Sequence, residues 1–394
     1  MTMIAVRHIS EAEFASMREA WNELLARTPH DTPMLTWEWM FTWWEQYRAS
    51  KLTRELYVLA AHDTDRRLVG IAPFVRRPAK SFGVPLRRME FIGTGEAEED
   101  ETCSEYLDWI VEPTLADDVA HAIAGFILED GGWDEIVCRD RRTDIPSPTQ
   151  RLKSQAGVRG FFVAEFGSAR CPHIVLPESW ESYLSTLSRN SRRLVRYKRR
   201  RLLEAADVRF RSTRIQEEIE QRFPKLVELH QERWRGQGKS GCFASPVFRA
   251  FLQKAAARLA ERSAVQLSWL EADGEVVAAY CLLRQSDKLF YYTSGVGIDR
   301  FEEHSPGQVC QGFIIEEAIK ERMAEYHFFK GGEDSYKYHW TDAAVPVSSL
   351  RIRRQGWRHS ACQTFEHAWE AARVVRNRFR RARPPSSFDS EPEP

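Results

Sequence analysis

Apolar residues recur along this chain at two spacings, three-to-four and two, and the spacings alternate. Helices are predicted near 11–26 and, in the aromatic segment TWEWMFTWWEQY, near 36–48, with strands near 56–61, 68–75 and 88–92. A strand near 106–111, a helix at 115–130 and a strand at 134–138 follow. The second half repeats this grammar. Trp180, Tyr183, Leu184 and Leu187 mark one helix, Leu226, Leu229 and His230 another; Val265, Leu267 and Trp269 alternate as a strand, and VVAAYCLL reads as a buried one. DRRLVGIAPF resembles DGEVVAAYCL, and GWDEIVC after a helix resembles EYHFFKG after a helix. Two matches in the same order predict a duplicated α/β unit with mixed sheets.

The two units are expected at 1–168 and 169–355, divided near FGSARCP, where turn residues precede a new strand. Residues 356–383 are expected as a basic amphipathic helix, with Phe365, Trp369, Ala372 and Val375 on one side and arginines on the other. The tail 384–394, rich in proline and polar residues, is expected to be disordered.

Composition narrows the class. The chain of 394 residues is 43% hydrophobic and 12% aromatic, which is globular, and no apolar run has the length of a membrane span. The N-terminus lacks a secretory pattern, so a cytoplasmic location is expected, with contact at the inner membrane surface as a further option. Seven scattered cysteines without a CxxC pair predict small core residues and no metal. Acidic and basic residues balance at 57 each, which excludes a global attraction to nucleic acid or membrane. Charge is nonetheless segregated: EAEEDE at 96–101 is acidic, and 189–201 is strongly basic.

Chemistry concentrates in residues 291–340. An aromatic strand there leads through a Ser-Pro-Gly turn into a helix, then a second strand and a Gly-Gly polar cluster. Proline at the first helical position marks a helix start, and the backbone around Ser305, Pro306, Gly307 and Gln308 is expected to receive a phosphate or carboxylate. His304 precedes this turn; its ordinary pKa suits a general base, while capping of the helix start explains it equally well. Glu303, Glu333 and Asp334 are the other candidates for the base; Glu333 and Asp334 follow Gly331-Gly332, where a flexible backbone brings carboxylates close to a ligand and ordinary turn chemistry explains them equally well.

Tyr336, Lys337, His339 and Trp340 form an aromatic-polar cluster suited to a sugar, amine or acyl chain, and equally suited to an edge strand. Arg233 and Trp234 sit at one helix exit, before GQGKSGCF, as a candidate acceptor wall or a plain core helix end. In the basic helix, Arg192, Arg193 and Arg196 are expected to meet an anionic partner, since no acid interrupts the run before Glu204, with a solvated or domain-bridging helix as the other reading.

These segments together, TWEWMFTWWEQY, SRNSRRLVRYKRRRL, LHQERW with GQGKSGCF, the SPG turn and GGEDSYKYHW, resemble the GNAT superfamily. The likeness is to its BioF2-like or CelD-like acetyltransferase branch, related to the tandem FemABX transferases. The resemblance implies two similar GNAT domains and an acyl thioester held in a V-shaped opening between two parallel strands, attacked directly by an amine. It implies acetyl-CoA as co-substrate, an amino sugar or similar amine in exopolysaccharide or envelope biosynthesis as acceptor, and Tyr292 or its neighbour Tyr291 as the acid for the departing thiolate. The glycine-rich pyrophosphate loop of the superfamily is replaced here by GIDRFEEHSPGQV. A FemABX-like transferase using aminoacyl-tRNA and a non-catalytic module binding an anionic nucleotide are the competing expectations.

Overall fold

The computed structural model of the chain describes residues 3–297, 301–332 and 335–366. Glu333, Asp334, the tail 384–394 and the greater part of the 356–383 segment lie outside the described residues. In chain order the elements are β1 (Ala5–His8), α1 (Glu11–Ser16), α2 (Arg18–Leu25), α3 (Trp37–Tyr47), β2 (Glu55–His62), β3 (Leu68–Ser81), β4 (Val84–Phe91), β5 (Ile110–Val111), α4 (Ala116–Glu129), β6 (Glu135–Arg142), α5 (Thr149–Val158) and β7 (Phe162–Val175). There follow α6 (Trp180–Thr186), α7 (Arg189–Ala205), β8 (Val208–Thr213), α8 (Gln216–Gly236), α9 (Pro246–Ala260), β9 (Val265–Ala272), β10 (Glu275–Gln285), β11 (Lys288–Val296), α10 (Pro306–Lys320), β12 (Glu325–His327) and β13 (Ala344–Arg353).

Local chemistry explains the agreements and the departures. The aromatic segment forms α3, with Thr36 accepting from the Trp39 N–H as its cap, and Trp39 and Trp43 are fully buried, as befits a helix buried along most of its length. The helix expected over 11–26 is two helices, because Met17 (φ −86°, ψ 8°) leaves helical geometry between them. The strand expected over 106–111 shrinks to β5. Cys103 and Tyr106 take left-handed backbone angles (φ 50° and 63°), which an extended strand cannot contain.

The strands form one sheet in the order β1-β2-β3-β4-β6-β13-β7-β12-β11-β10-β9-β8, with β5 against β3. Its two halves repeat one plan. Parallel β4 and β6 pair at three positions, Arg88 with Glu135 through Glu90 with Val137, and are joined across α4. Parallel β11 and β12 also pair at three, Lys288 with Glu325 through Phe290 with His327, and are joined across α10. The sequence matches noted above fall on β3 with β10 and on β6 with β12. Each unit then lends its last strand to the other: β7 pairs with β12, and β13 pairs with β6. The turn residues of FGSARCP therefore lie inside β7. They mark a register shift opposite Val347 and Ser349, where Gly167 (φ 63°) supplies the backbone freedom, and they do not form a linker.

Two packing features tie the halves together. Glu135 is fully buried and binds Arg88 of β4 (2.7 Å) and Arg353 of β13 (2.7 Å), so one carboxylate links three neighbouring strands. Gly295 of β11 lies directly on α8, where an added Cβ would meet the Leu226 carbonyl at 2.5 Å and the His230 N–H at 2.6 Å. Because both obstacles are backbone, Gly295→Ala is expected to lower stability by about 1–3 kcal/mol. An unchanged denaturant midpoint would show instead that α8 can retreat.

Candidate active site between the two units

After three paired residues β11 and β12 part. The chain leaves β12 through Phe328–Lys330 while β11 continues against β10, so a V-shaped opening lies between them. β11 carries a bulge there: Cys281 faces Thr293 and Leu282 faces Tyr291, which leaves Tyr292 as the extra residue. Lys337 reaches this opening. Its ammonium donates to the Phe328 carbonyl (2.7 Å) and the Lys330 carbonyl (2.6 Å), and stands 5.8 Å from the centre of the Tyr291 ring. Burial pushes its pKa below the usual lysine value, with Glu105 among the charges that oppose the shift.

One side of the opening leads to the start of α10. Ser305, Pro306, Gly307 and Gln308 line a cavity of about 460 Å³ together with Arg233, Val296, Gly297 and one acidic side chain, Glu302. The backbone there is more committed than the sequence suggested. Pro306 has no N–H, Ser305 donates to Glu302 (2.9 Å), and Gln308 donates to the Ser305 carbonyl (3.0 Å). Among the described residues the Gly307 N–H is the one in this turn with no such partner. Lys198 of α7 donates to the Gln308 side chain (2.9 Å), and the exposed Arg233 guanidinium lines the wall, so side-chain cations supplement the helix start. His304 is 9% exposed, leaves Nδ1 without a hydrogen bond, and does not line this cavity.

The other side is a larger cavity of about 1090 Å³ at the junction of the two units, walled by residues 93–96, 101–105, β6, β7, β13 and Lys330 to Gly332. The loop before β5, from the first unit, forms the roof of the second unit's opening. Tyr292 donates from its hydroxyl to the Thr102 carbonyl (2.9 Å), Trp39 donates to Ser104 (2.9 Å), and Tyr106 packs on Phe329. Glu105 is the ionisable centre of this wall. It is 7% exposed and accepts from the Lys330 backbone N–H (2.7 Å) and the Cys171 thiol (3.4 Å). Burial pushes its carboxyl up to about 7, a rise that the Lys330 hydrogen bond and charge only partly offset. A carboxylate of that pKa is divided between its two forms at neutral pH.

The residues expected from sequence are only partly assembled. Tyr292 stands at the bulge, but its hydroxyl is engaged by Thr102, so it is not free to meet a leaving thiolate. Trp340 is 2% exposed and packs in the core beside Gly312, which leaves no open face for stacking. Tyr336 is exposed, and Trp234 packs on His230 with the Lys239 ammonium 5.3 Å above its ring. The basic helix spends much of its charge internally. Arg192 holds the Leu187 carbonyl (3.3 Å), Arg196 pairs with Glu181 (2.6 Å), and Arg199 pairs with Glu316 (2.7 Å), while Arg193 is exposed. Glu105, which the sequence reading passed over, carried one signal: it continues the acidic run EAEEDE.

Two similar units, each with a parallel strand pair joined across a helix and opening beyond three residues, define a mixed α/β fold of the GNAT type. Residues 189–338 match the family model for an acetyltransferase (GNAT) domain. FemX is similar in structure, with a TM-score of 0.55 at 12% identity over 88% of this chain and 96% of that one. The C-terminal domain of a candidate lysylphosphatidylglycerol synthetase from Agrobacterium fabrum is similar at a TM-score of 0.50 and 9% identity, over 91% of this chain and 96% of that one. At such identities the likeness shows the fold. Curated proteins gave no match to the chain. Among the described residues no helix is long and apolar enough to cross a membrane.

Proposed function

We propose that this chain is an N-acyltransferase that moves an acyl group from a thioester, acetyl-CoA first among the candidates, to an amine. The observation that carries the reading is the opening between β11 and β12, with an anion-ready helix start on one side and a cavity holding Glu105 on the other. The donor's phosphates would meet Arg233, the Gly307 N–H and Lys198. The second unit suits them better than the first, because α4 carries Asp117 and Asp118 in its first turn and α10 carries no acid there.

Glu105 takes a proton from the acceptor ammonium. The neutral nitrogen then attacks the thioester carbonyl, a C–N bond forms, and the oxyanion develops beside the Lys337 ammonium. Collapse breaks the C–S bond; the thiolate leaves with the second nitrogen proton, and Glu105 returns its own proton to water. His304, on the donor side, and Glu333 are the alternative bases from the sequence. The BioF2-like or CelD-like resemblance supports an amino sugar as acceptor, in exopolysaccharide or envelope biosynthesis.

Calorimetric titration with acetyl-CoA tests the donor. Saturable one-site binding is expected, weakened about tenfold in Arg233→Ala, the effect of one charge-assisted contact. Turnover with aminoacyl-tRNA and with no acyl-CoA would replace the thioester by the FemABX-like donor. Absence of turnover with either would leave the non-catalytic reading.

A further inference from the structure

Among the described residues, two arginines on the walls of the larger cavity make no ion pair, although the Glu96 and Glu101 carboxylates line the same cavity. Arg139 of β6 and Arg170 of β7 both line it, and both are exposed. Among the described residues neither guanidinium has an ion pair or a hydrogen bond. Their neighbours are paired: Lys330 with Asp140 (2.7 Å), Lys153 with Glu165 (2.9 Å) and Arg142 with Asp144 (2.6 Å). Unpaired cations on the concave wall of a cavity are a ready receptor for an anion.

Their placement follows from the register of the central strands. β13 lies between β6 and β7. Arg170 stands opposite Pro346, whereas the shift between Ser348 and Leu350 sets Arg139 and Asp140 opposite Ser349. The two arginines therefore flank one strand from either side, offset by three residues or about 10 Å along it. Long flexible side chains from those positions can close on one phosphate-sized or carboxylate-sized group. Glu105 lies in the same cavity, as the group suited to an amine.

We infer that the acceptor is an amine bearing its own anionic group, a phosphate or a carboxylate, which Arg139 and Arg170 hold while the amine faces Glu105. This rests on the acyltransferase reading for the role of the amine, but the anion site stands on the cavity alone. It also places recognition of the acceptor's anion on the central strands and not on the arginines of α7, which are largely engaged within the protein.

The test is calorimetric binding of glucosamine, glucosamine 6-phosphate and muramic acid to the full chain and to Arg139→Gln, Arg170→Gln and Arg193→Gln, the last on the exposed face of α7. At least one charged amine is expected to bind about tenfold or more tightly than glucosamine. Preference for glucosamine 6-phosphate would identify a phosphate, and preference for muramic acid a carboxylate. That advantage should fall below about threefold in Arg139→Gln and in Arg170→Gln and persist in Arg193→Gln. Equal binding of all three amines, no binding of any, or a preference lost only in Arg193→Gln would overturn the inference. A preference that depends on Arg139 and Arg170 without acyl transfer from any donor would sink the acyltransferase reading and leave the anion site standing.

Discussion

Glu105→Gln is expected to lower kcat/KM for amine acylation by roughly 100- to 10,000-fold, the usual contribution of a positioned base, with the fold unchanged. Glutamine keeps an oxygen for the Lys330 N–H and loses only the ability to take a proton. In the native protein kcat/KM should rise with pH and level off above about 7, the value to which burial pushes this carboxyl. Stability should run the other way. The folded state holds the proton between the ordinary value of 4.5 and about 7, where the unfolded chain has released it, so stability falls as pH rises through that window. The variant escapes this loss and should be relatively more stable at pH 8 than at pH 5. A pH–rate profile of both proteins decides the matter: full activity in Glu105→Gln with loss in His304→Ala would return the base to the donor side.

Glu135→Ala is expected to cost about 3–5 kcal/mol, the effect of removing one partner from a buried ion cluster. Arg353 is 2% exposed and depends on Glu135 for charge balance, with Glu366 a weaker partner at 3.3 Å. The loss should be global, because Glu135 joins β4, β6 and β13, and β13 is the strand that the second unit contributes to the first. Burial alone would raise the Glu135 pKa, but Arg88, Arg353 and Arg351 outweigh it and hold the carboxyl below its ordinary value. Its contribution is therefore present at neutral pH and is lost as pH falls through that depressed pKa. Urea unfolding at pH 7 and at pH 4 measures both effects. A loss under about 1 kcal/mol at pH 7 would show that the three strands do not depend on the cluster.

The sequence was most readable where local signals act alone. Apolar spacing and the Thr36 cap define α3, the Ser-Pro-Gly turn starts α10, and the paired segments DRRLVGIAPF and DGEVVAAYCL fall on corresponding strands of two units. It misled where a local signal served a distant partner. FGSARCP reads as a boundary because glycine and proline usually punctuate the chain, yet its glycine accommodates a bulge forced by β13, a strand more than a hundred residues away in sequence.

Glu105 was illegible for the same reason. In sequence it is one more carboxylate after an acidic run. Its character comes from burial under the Lys330 backbone and beside Cys171, on strands of the opposite unit. What the sequence alone determined is elements such as α3 and α10, the duplicated α/β plan and the helix start at Pro306, since these follow from periodicity, capping and turn chemistry within a few residues. Tertiary structure alone decided the exchange of β7 and β13, the cavity at the junction and the raised pKa of Glu105. Each depends on which distant strands pair and how much water that pairing excludes, and neither quantity is written in any local stretch of the chain.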